Sequence, residues 1–149
     1  MSAERGCVFC QIVRGEREAS IIFEDQATLA FLDHRPLFPG HCLLIPKEHH
    51  QTLPDLPSAL VGAFFSNAQL LARAVEAAVE AEGTFLAINN RVSQSVPHLH
   101  LHIVPRRRGD GLKGFFWPRR KYKDQEEERE VGQRISAHVA ALLRERAAR

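Results

Sequence analysis

The sequence predicts an α+β domain in which an antiparallel sheet carries helices on the outside. Three observations lead there. Short β-prone runs are joined mostly by tight turns, one long stretch from 57 to 82 has an unbroken helical apolar period, and a second helical pattern closes the chain. At 149 residues with 44% hydrophobic content, the chain is long enough for one substantial core and reads as one domain over 1–149.

The elements follow in order. Residues 21–23 (IIF) and 28–33 (TLAFLD) are β-prone runs separated by Glu24, Asp25 and Gln26, which reads as a hairpin. Pro36 to Gly40 breaks the chain before a third strand at 41–45, and Pro46 ends it. From Pro57 to Glu82 the positions Val61, Phe64, Phe65, Ala68, Leu71, Ala72, Val75, Ala78 and Val79 recur at three-and-four spacing on one helix face. Asp55 or Ser58 is expected to cap this helix and Gly83 to follow its end. Residues 85–88 and 98–104 read as two further strands. The last helix spans 126–146, within about 125–147, with Val131, Ile135, His138, Val139, Leu142 and Leu143 expected inward and Glu126, Glu127 and Glu128 at the positive end of its dipole.

Charge and composition exclude several classes of function. Twenty Lys and Arg against 18 Asp and Glu leave a net charge of +2, too even for a nucleic-acid footprint, so no specific nucleic acid is expected. No apolar run approaches the roughly 20 residues that span a bilayer, and the N-terminus has no leader pattern, so the expectation is no membrane and a cytoplasmic location. Three cysteines, two of them in the C-V-F-C of Cys7 and Cys10, point to metal or thiol chemistry rather than a disulfide framework; Cys42, in HCLLIP, reads as a small core residue.

The most informative segment is HLHLHIV, residues 98 to 104. On an extended chain, residues two apart share a face, so His98, His100 and His102 point one way at roughly 6.5 to 7 Å steps while Leu99, Leu101 and Ile103 face the other. Three merely structural histidines in strict alternation would need many hydrogen-bond partners, so the histidine face is read as chemistry. An imidazole can ligate a metal, act as a nucleophile or carry a proton near neutral pH. The Cys7/Cys10 pair stands at zinc spacing, and His49 or His50 with one strand histidine would complete a closed Cys₂His₂ set; a redox dithiol is the alternative reading of the same pair.

The stretch QSVPHLHLHIV closely resembles the His-x-His-x-His signature of the histidine triad (HIT) superfamily, which includes Hint-type and Fhit-type enzymes. CVFCQIVRGE, IIFED, LAFLDHRPLFPGHCLLIPKEH and the histidine segment follow in the order such proteins show, so the resemblance covers most of the chain. It implies a HIT-like antiparallel sheet with a long central helix and a C-terminal helix. It also implies a hydrolase acting at the α-phosphorus of nucleoside phosphoramidates or dinucleoside polyphosphates through a nucleotidyl-histidine, releasing a nucleoside monophosphate.

Carried over by resemblance, His100 is the nucleophile and His102 the third triad member that supports the phosphate site. His98, with Cys7, Cys10 and the His49 of Pro46-Lys47-Glu48-His49, forms a structural zinc set. Gln94 and Ser95 match positions that contact the phosphate or bridging oxygen, Asn89 a further polar phosphate-side position, and Asp33 the place where ribose hydroxyls bind. Phe9, Ile12 and Phe31 stand as candidates to wall the base, with ordinary core roles as the alternative. The implied partners are a purine nucleotide or dinucleoside polyphosphate and a second copy in a homodimer, formed through the long helix and a strand edge.

Two departures from the family pattern stand out. The loop from Asn89 to Ser93 lacks the glycine-containing segment relatives usually carry, which restricts backbone approach to a phosphate. After the triad, RRRGDGLKGFFWPR is unusually basic and aromatic, read either as a contact to a distal phosphate or second nucleoside, or as a solvated charge run beside a packed Trp117. Arg106, Arg107 and Arg108 motivate a phosphorylase as an alternative activity, and the altered loop motivates a nucleotide-binding module with little turnover.

Overall fold

The computed structural model of the chain describes residues 2–112 and 120–149. Its contacts divide into two compact units, 1–110 and 111–149. The first unit contains helices α1 (Ser2–Gly6) and α2 (Val8–Val13), strands β1 (Ile21–Glu24), β2 (Thr28–Leu32) and β3 (Cys42–Pro46), a 3₁₀ turn (Leu53–Asp55), helix α3 (Ser58–Val79), and strands β4 (Gly83–Ile88) and β5 (Leu101–Arg106). The five strands form one antiparallel sheet in the order β1-β2-β3-β5-β4.

The first hairpin is held by a side chain. Asp25 Oδ1 accepts from the backbone of Ala27 (2.9 Å) and Thr28 (2.7 Å), while its Oδ2 accepts from Asn67 on α3 (2.7 Å). That arrangement fixes the turn and ties it to the long helix.

Pleating then sorts the side chains into two layers. Ala30, Cys42, Leu44, Leu99, Leu101 and Ile103 pack against Phe64, Ala68, Leu71 and Val75 of α3. Leu29, Phe31, Leu43 and Ile45 pack on the opposite side, against Cys7, Phe9, Cys10 and Ile12. The cross-strand pair Leu43 and His102 therefore places His102 on the N-terminal side of the sheet.

The last strand of this unit starts later than the 98–104 run suggests. Its ladder with β3 ends at Leu44 and Leu101. Pro46, which has no N–H, lies where the ladder would continue opposite Leu99, and the Leu99 N–H goes instead to the His50 carbonyl (2.6 Å). The alternation still holds through the extended residues before the strand. The long helix holds every position of its apolar pattern but ends before the 57–82 stretch does: Glu80 turns left-handed (φ 52°), and Gly83 begins β4. Pro57 stands at its N-cap, while Asp55 caps the preceding 3₁₀ turn through Thr52.

In the second unit, α4 (Gln125–Ala147) starts at Asp124, whose carboxylate accepts from the Glu127 N–H (2.8 Å). None of its residues is buried, so Ile135, Val139, Leu142 and Leu143, expected inward, are exposed. Among the described residues of its own unit, the helix has no second element to cover an apolar stripe. Trp117 and the rest of 113–119 lie outside the described residues. Among the described residues, no helix is long and apolar enough to cross a membrane.

Candidate functional site

The N-terminal residues and the histidine segment meet on one face of the sheet. Cys7 and Cys10 flank the start of α2, and the Cys10 N–H points at Cys7 Sγ (3.5 Å). His98 Nδ1 lies 3.5 Å from both sulfurs, and His49 Nδ1 lies 3.3 Å from Cys10 Sγ. All four ligand atoms fall within 4.8 Å of one another, and Cys7, Cys10 and His98 are buried.

Ligand lengths of about 2.3 Å for sulfur and 2.0 to 2.1 Å for nitrogen give a tetrahedral edge of about 3.6 Å between an S and an N donor. The observed sulfur-to-nitrogen separations match that edge, so the residues fit a four-coordinate metal.

The ring of His98 is pre-set for such a role. Its Nε2 meets the Pro46 carbonyl (2.8 Å), and because a carbonyl only accepts, Nε2 carries the proton and Nδ1 is left as a lone pair facing the sulfurs. Burial lowers the His98 pKa to about 4, and burial, followed by the neighbouring Cys7, pushes Cys10 up to about 12. Without a cation Cys10 is therefore a neutral thiol and His98 a neutral imidazole. His49 Nε2 and His50 Nε2 are the buried side-chain nitrogens without a hydrogen-bond partner among the described residues.

Two residues along, His100 turns its Nδ1 to the carbonyl of His98 (2.7 Å) and is 3% exposed. Its Nδ1 is consequently the protonated nitrogen, which leaves Nε2 with the lone pair. Burial lowers its pKa, opposed by the hydrogen bond to His98 and by Asp33. Phe9 stands edge-on to the ring at 5.2 Å.

Next comes His102, whose ring centroid is 5.0 Å from that of His100 and 5.2 Å from that of His41. Both His100 and His102 line a cavity of about 750 Å³ together with Asp33, Ser95, Phe9 and Phe31. Asp33 is held at the end of β2 by its Oδ1, which accepts from the Arg35 N–H (2.9 Å).

Of the polar residues expected to bind substrate, Asp33, expected at the ribose, and Ser95, expected at the phosphate, reach this cavity, while Gln94 and Asn89 are not in its lining. The Gln94 amide is engaged in its own loop, accepting from the Arg91 N–H (2.7 Å) and donating to the Gln51 carbonyl (2.6 Å). That loop places Arg91 (φ 69°) and Ser93 (φ 59°) in the left-handed region, so the chain makes with non-glycine residues the backbone turns that glycine makes without strain.

The basic run after the triad is locally engaged as well. Arg106 is forked onto Asp110 (2.6 and 3.0 Å), Arg107 donates to the carbonyls of Val79 and Glu80 at the end of α3, and the Arg108 backbone N–H donates to Glu82 (3.1 Å). The side chains of Arg106 and Arg107 thus have partners within the protein.

His41 is the residue that sequence reasoning passed over. It was read only as the first residue of a strand, yet it is 3% exposed and its Nε2 lies 3.0 Å from His102 Nδ1. The signal was present in the Gly40-His41 pair. Gly40 has φ +100°, and a Cβ there would stand 3.1 Å from Val79 Cγ1, so the turn that delivers His41 requires glycine.

A family model described as HIT domain matches residues 14–109. The chain belongs to the HIT family. Within that family it is 39% identical over 111 residues to the adenylylsulfatase HINT3 of Arabidopsis thaliana, covering 73% of this chain but 56% of that protein. It is 32% identical over 119 residues to the adenosine 5'-monophosphoramidase HNT1 of Saccharomyces cerevisiae, covering 77% of this chain and 72% of the yeast protein. Among solved structures, a Zn-bound histidine triad family protein from Mycobacterium smegmatis superposes with a TM-score of 0.69 at 38% identity, covering 93% of this chain and 99% of that one. The antiparallel sheet with its long helix is thus a HIT fold.

Proposed function

We propose that this HIT protein is a nucleotidyl hydrolase in which His100 attacks the α-phosphorus of a nucleoside phosphoramidate, a mixed anhydride or a dinucleoside polyphosphate. The observation that carries the reading is the hydrogen bond from His100 Nδ1 to the His98 carbonyl, which leaves Nε2 as the nucleophile in the cavity. The two enzymatic relatives act, by their names, on adenylylsulfate and on adenosine 5'-monophosphoramidate, substrates that share an adenylyl group with a good leaving group.

In the first step the Nε2–P bond forms as the bond from phosphorus to the leaving group breaks; the nitrogen of a phosphoramidate takes a proton from solvent and leaves as the neutral amine, while a sulfate or phosphate group leaves as its anion. The imidazole becomes cationic, and the Nδ1–H hydrogen bond to a carbonyl stabilises that charge. Water then attacks phosphorus, the N–P bond breaks, and the nucleoside monophosphate departs while the water proton passes to solvent. Ser95 and His102 are read as donors to the phosphate oxygens, Asp33 as the acceptor for ribose hydroxyls, and Phe9 and Phe31 as apolar cover for the base.

Cys7, Cys10, His49 and His98 would hold zinc, with a structural role: four protein ligands leave no open position, and the metal would pin the N-terminal segment beside the catalytic residues. A homodimer belongs to the same reading through the family resemblance, and light scattering tests it. The activity is tested by offering adenosine phosphoramidate, adenylylsulfate and a dinucleoside polyphosphate and identifying products by mass. AMP release by the wild type and its loss in His100→Ala support the proposal; equal release by both proteins overturns it.

A further inference from the structure

Helix α4 repeats its apolar positions at four-three-four spacing. Val131, Ile135, His138 and Leu142 share one face, with Val139 beside them, and together they line one depression on the helix surface. Ile135 and Leu142 are 60% and 62% exposed, and no other helix or strand among the described residues of this unit covers them. Apolar side chains left this open in a row mark a surface that is completed by association.

The charges say what completes it. The first turn of α4 is acidic, with Glu126, Glu127 and Glu128, and the last turn is basic, with Arg144 and Arg146. Two of these extend the apolar face itself: Glu128 stands three residues before Val131, and Arg146 stands four residues after Leu142. Glu126 is paired with Arg129 and Glu127 accepts from the Lys123 N–H (2.6 Å). The Glu128 carboxylate and the Arg146 guanidinium have no hydrogen-bond or ion-pair partner among the described residues.

We infer that α4 is a self-pairing surface, docking antiparallel on the α4 of a second copy of this chain with Glu128 of each copy against Arg146 of the other. One register satisfies both kinds of contact. Glu128 and Arg146 lie symmetrically about Ala137 along the helix, and so do Ile135 and Val139, and Val131 and Leu143. Setting the ion pairs opposite one another therefore also sets Ile135 against Val139, and Val131 against Leu143 with Leu142 beside it. Each contact occurs twice, as a two-fold interface requires. A parallel pair would place Glu128 on Glu128 and Arg146 on Arg146, like charges at both ends of the stripe. The stripe is about 18 Å long and buries less than the roughly 1,200 Å² of a standard interface, so the contact is reversible and concentration-dependent. It lies in the second unit, apart from the α3 and strand-edge dimer that the family resemblance implies, and it does not depend on the hydrolase reading.

Disulfide mapping on the full-length protein tests it. Single cysteines are placed on α4, the proteins are oxidised mildly over a range of concentrations, and the linked peptides are identified by mass, so a bond within α4 is read whichever other interface the protein uses. Val131→Cys mixed with Leu142→Cys should form the mixed bond at about tenfold the yield of Ala140→Cys, a control on the opposite side of the helix. Val131→Cys alone should stay at the control level, because its partner position in the second copy is at the far end of the stripe. Adding Glu128→Arg to both proteins of the mixture, or Arg146→Glu to both, should lower the yield about tenfold; adding one change to each protein should restore it. Val131→Cys bonding to itself as readily as to Leu142→Cys would show a parallel pair and overturn the inference. A mixed bond no more abundant than the control overturns it too, leaving the face to a different occupant, as does a yield indifferent to the charge exchange.

Discussion

The two ends of the histidine segment use the same side chain under opposite instructions. At His98 the ring gives its Nε2 proton to the Pro46 carbonyl and turns Nδ1 toward two thiols, a soft donor set that fits a closed metal site. Four residues on, His102 meets another imidazole at Nδ1 and opens on a cavity that contains a carboxylate and a serine. Sequence spacing gives both rings the same face, and neither ring's role follows from it. The role follows from the atom opposite each nitrogen, supplied by β3 and its flanks: the Pro46 carbonyl at one end and His41 at the other.

Removing the residue between these ends has the largest expected effect. His100→Ala should lower kcat/KM for adenosine phosphoramidate by about 10³-fold or more, because it removes the imidazole lone pair proposed to attack phosphorus. If the two ends are independent in function, the same variant should retain its full metal content by elemental analysis.

Stripping the metal should strike the other end. With free zinc about a thousandfold above its dissociation constant, removal should cost about 4 kcal/mol of stability, read as a fall in Tm. Cys7→Ser combined with Cys10→Ser should show the low Tm whether or not zinc is added. A double variant with full zinc occupancy would break the contrast between the two ends.

A smaller effect separates the ends by pH. The His102 pKa is lowered from the ordinary 6.5 to about 4 by burial and by the facing His100 and His41, against the pull of Asp33. Between those values the unfolded chain binds a proton at this position that the folded chain refuses, so stability falls as pH drops from 6.5 toward 4. Allowing for partial exposure and solvent screening, the loss by pH 5 should be about 1 kcal/mol, measured as a shift in urea midpoint. His102→Gln should flatten that slope.

How much of this was legible in the sequence depends on what each residue's role depends on. Leu99, Leu101 and Ile103 went to the core and the three histidines to the other side, because period-two alternation survives even where Pro46 cuts the ladder short. The Cys7, Cys10, His49 and His98 group was legible as a family pattern, and the four side chains do converge. His41 was not, because its partner lies 61 residues away and is fixed only by strand register. The loop contacts of Gln94 were not legible for a related reason: a side-chain amide serves equally well to hold an unusual loop as to hold a phosphate. In α4 the apolar period was real, but periodicity says which residues share a face and not whether anything covers it.

The smallest effect concerns that loop. Ser93→Gly should change stability by no more than about 1 kcal/mol, since relief of a left-handed φ is offset by the freedom glycine adds to the unfolded chain; thermal melts measure it. A similar change at His98 would be far larger, which keeps the loop apart from the metal corner as a tolerant region.

The central claim is that His100 is the covalent nucleophile. Acid quenching during turnover of an adenylyl phosphoramidate, followed by digestion and mass spectrometry, tests it most directly. An AMP adduct on the peptide containing residues 98 to 104, present in the wild type and absent in His100→Ala, is the expected result. Turnover with no adduct on that peptide, or an adduct that persists in His100→Ala, would contradict it.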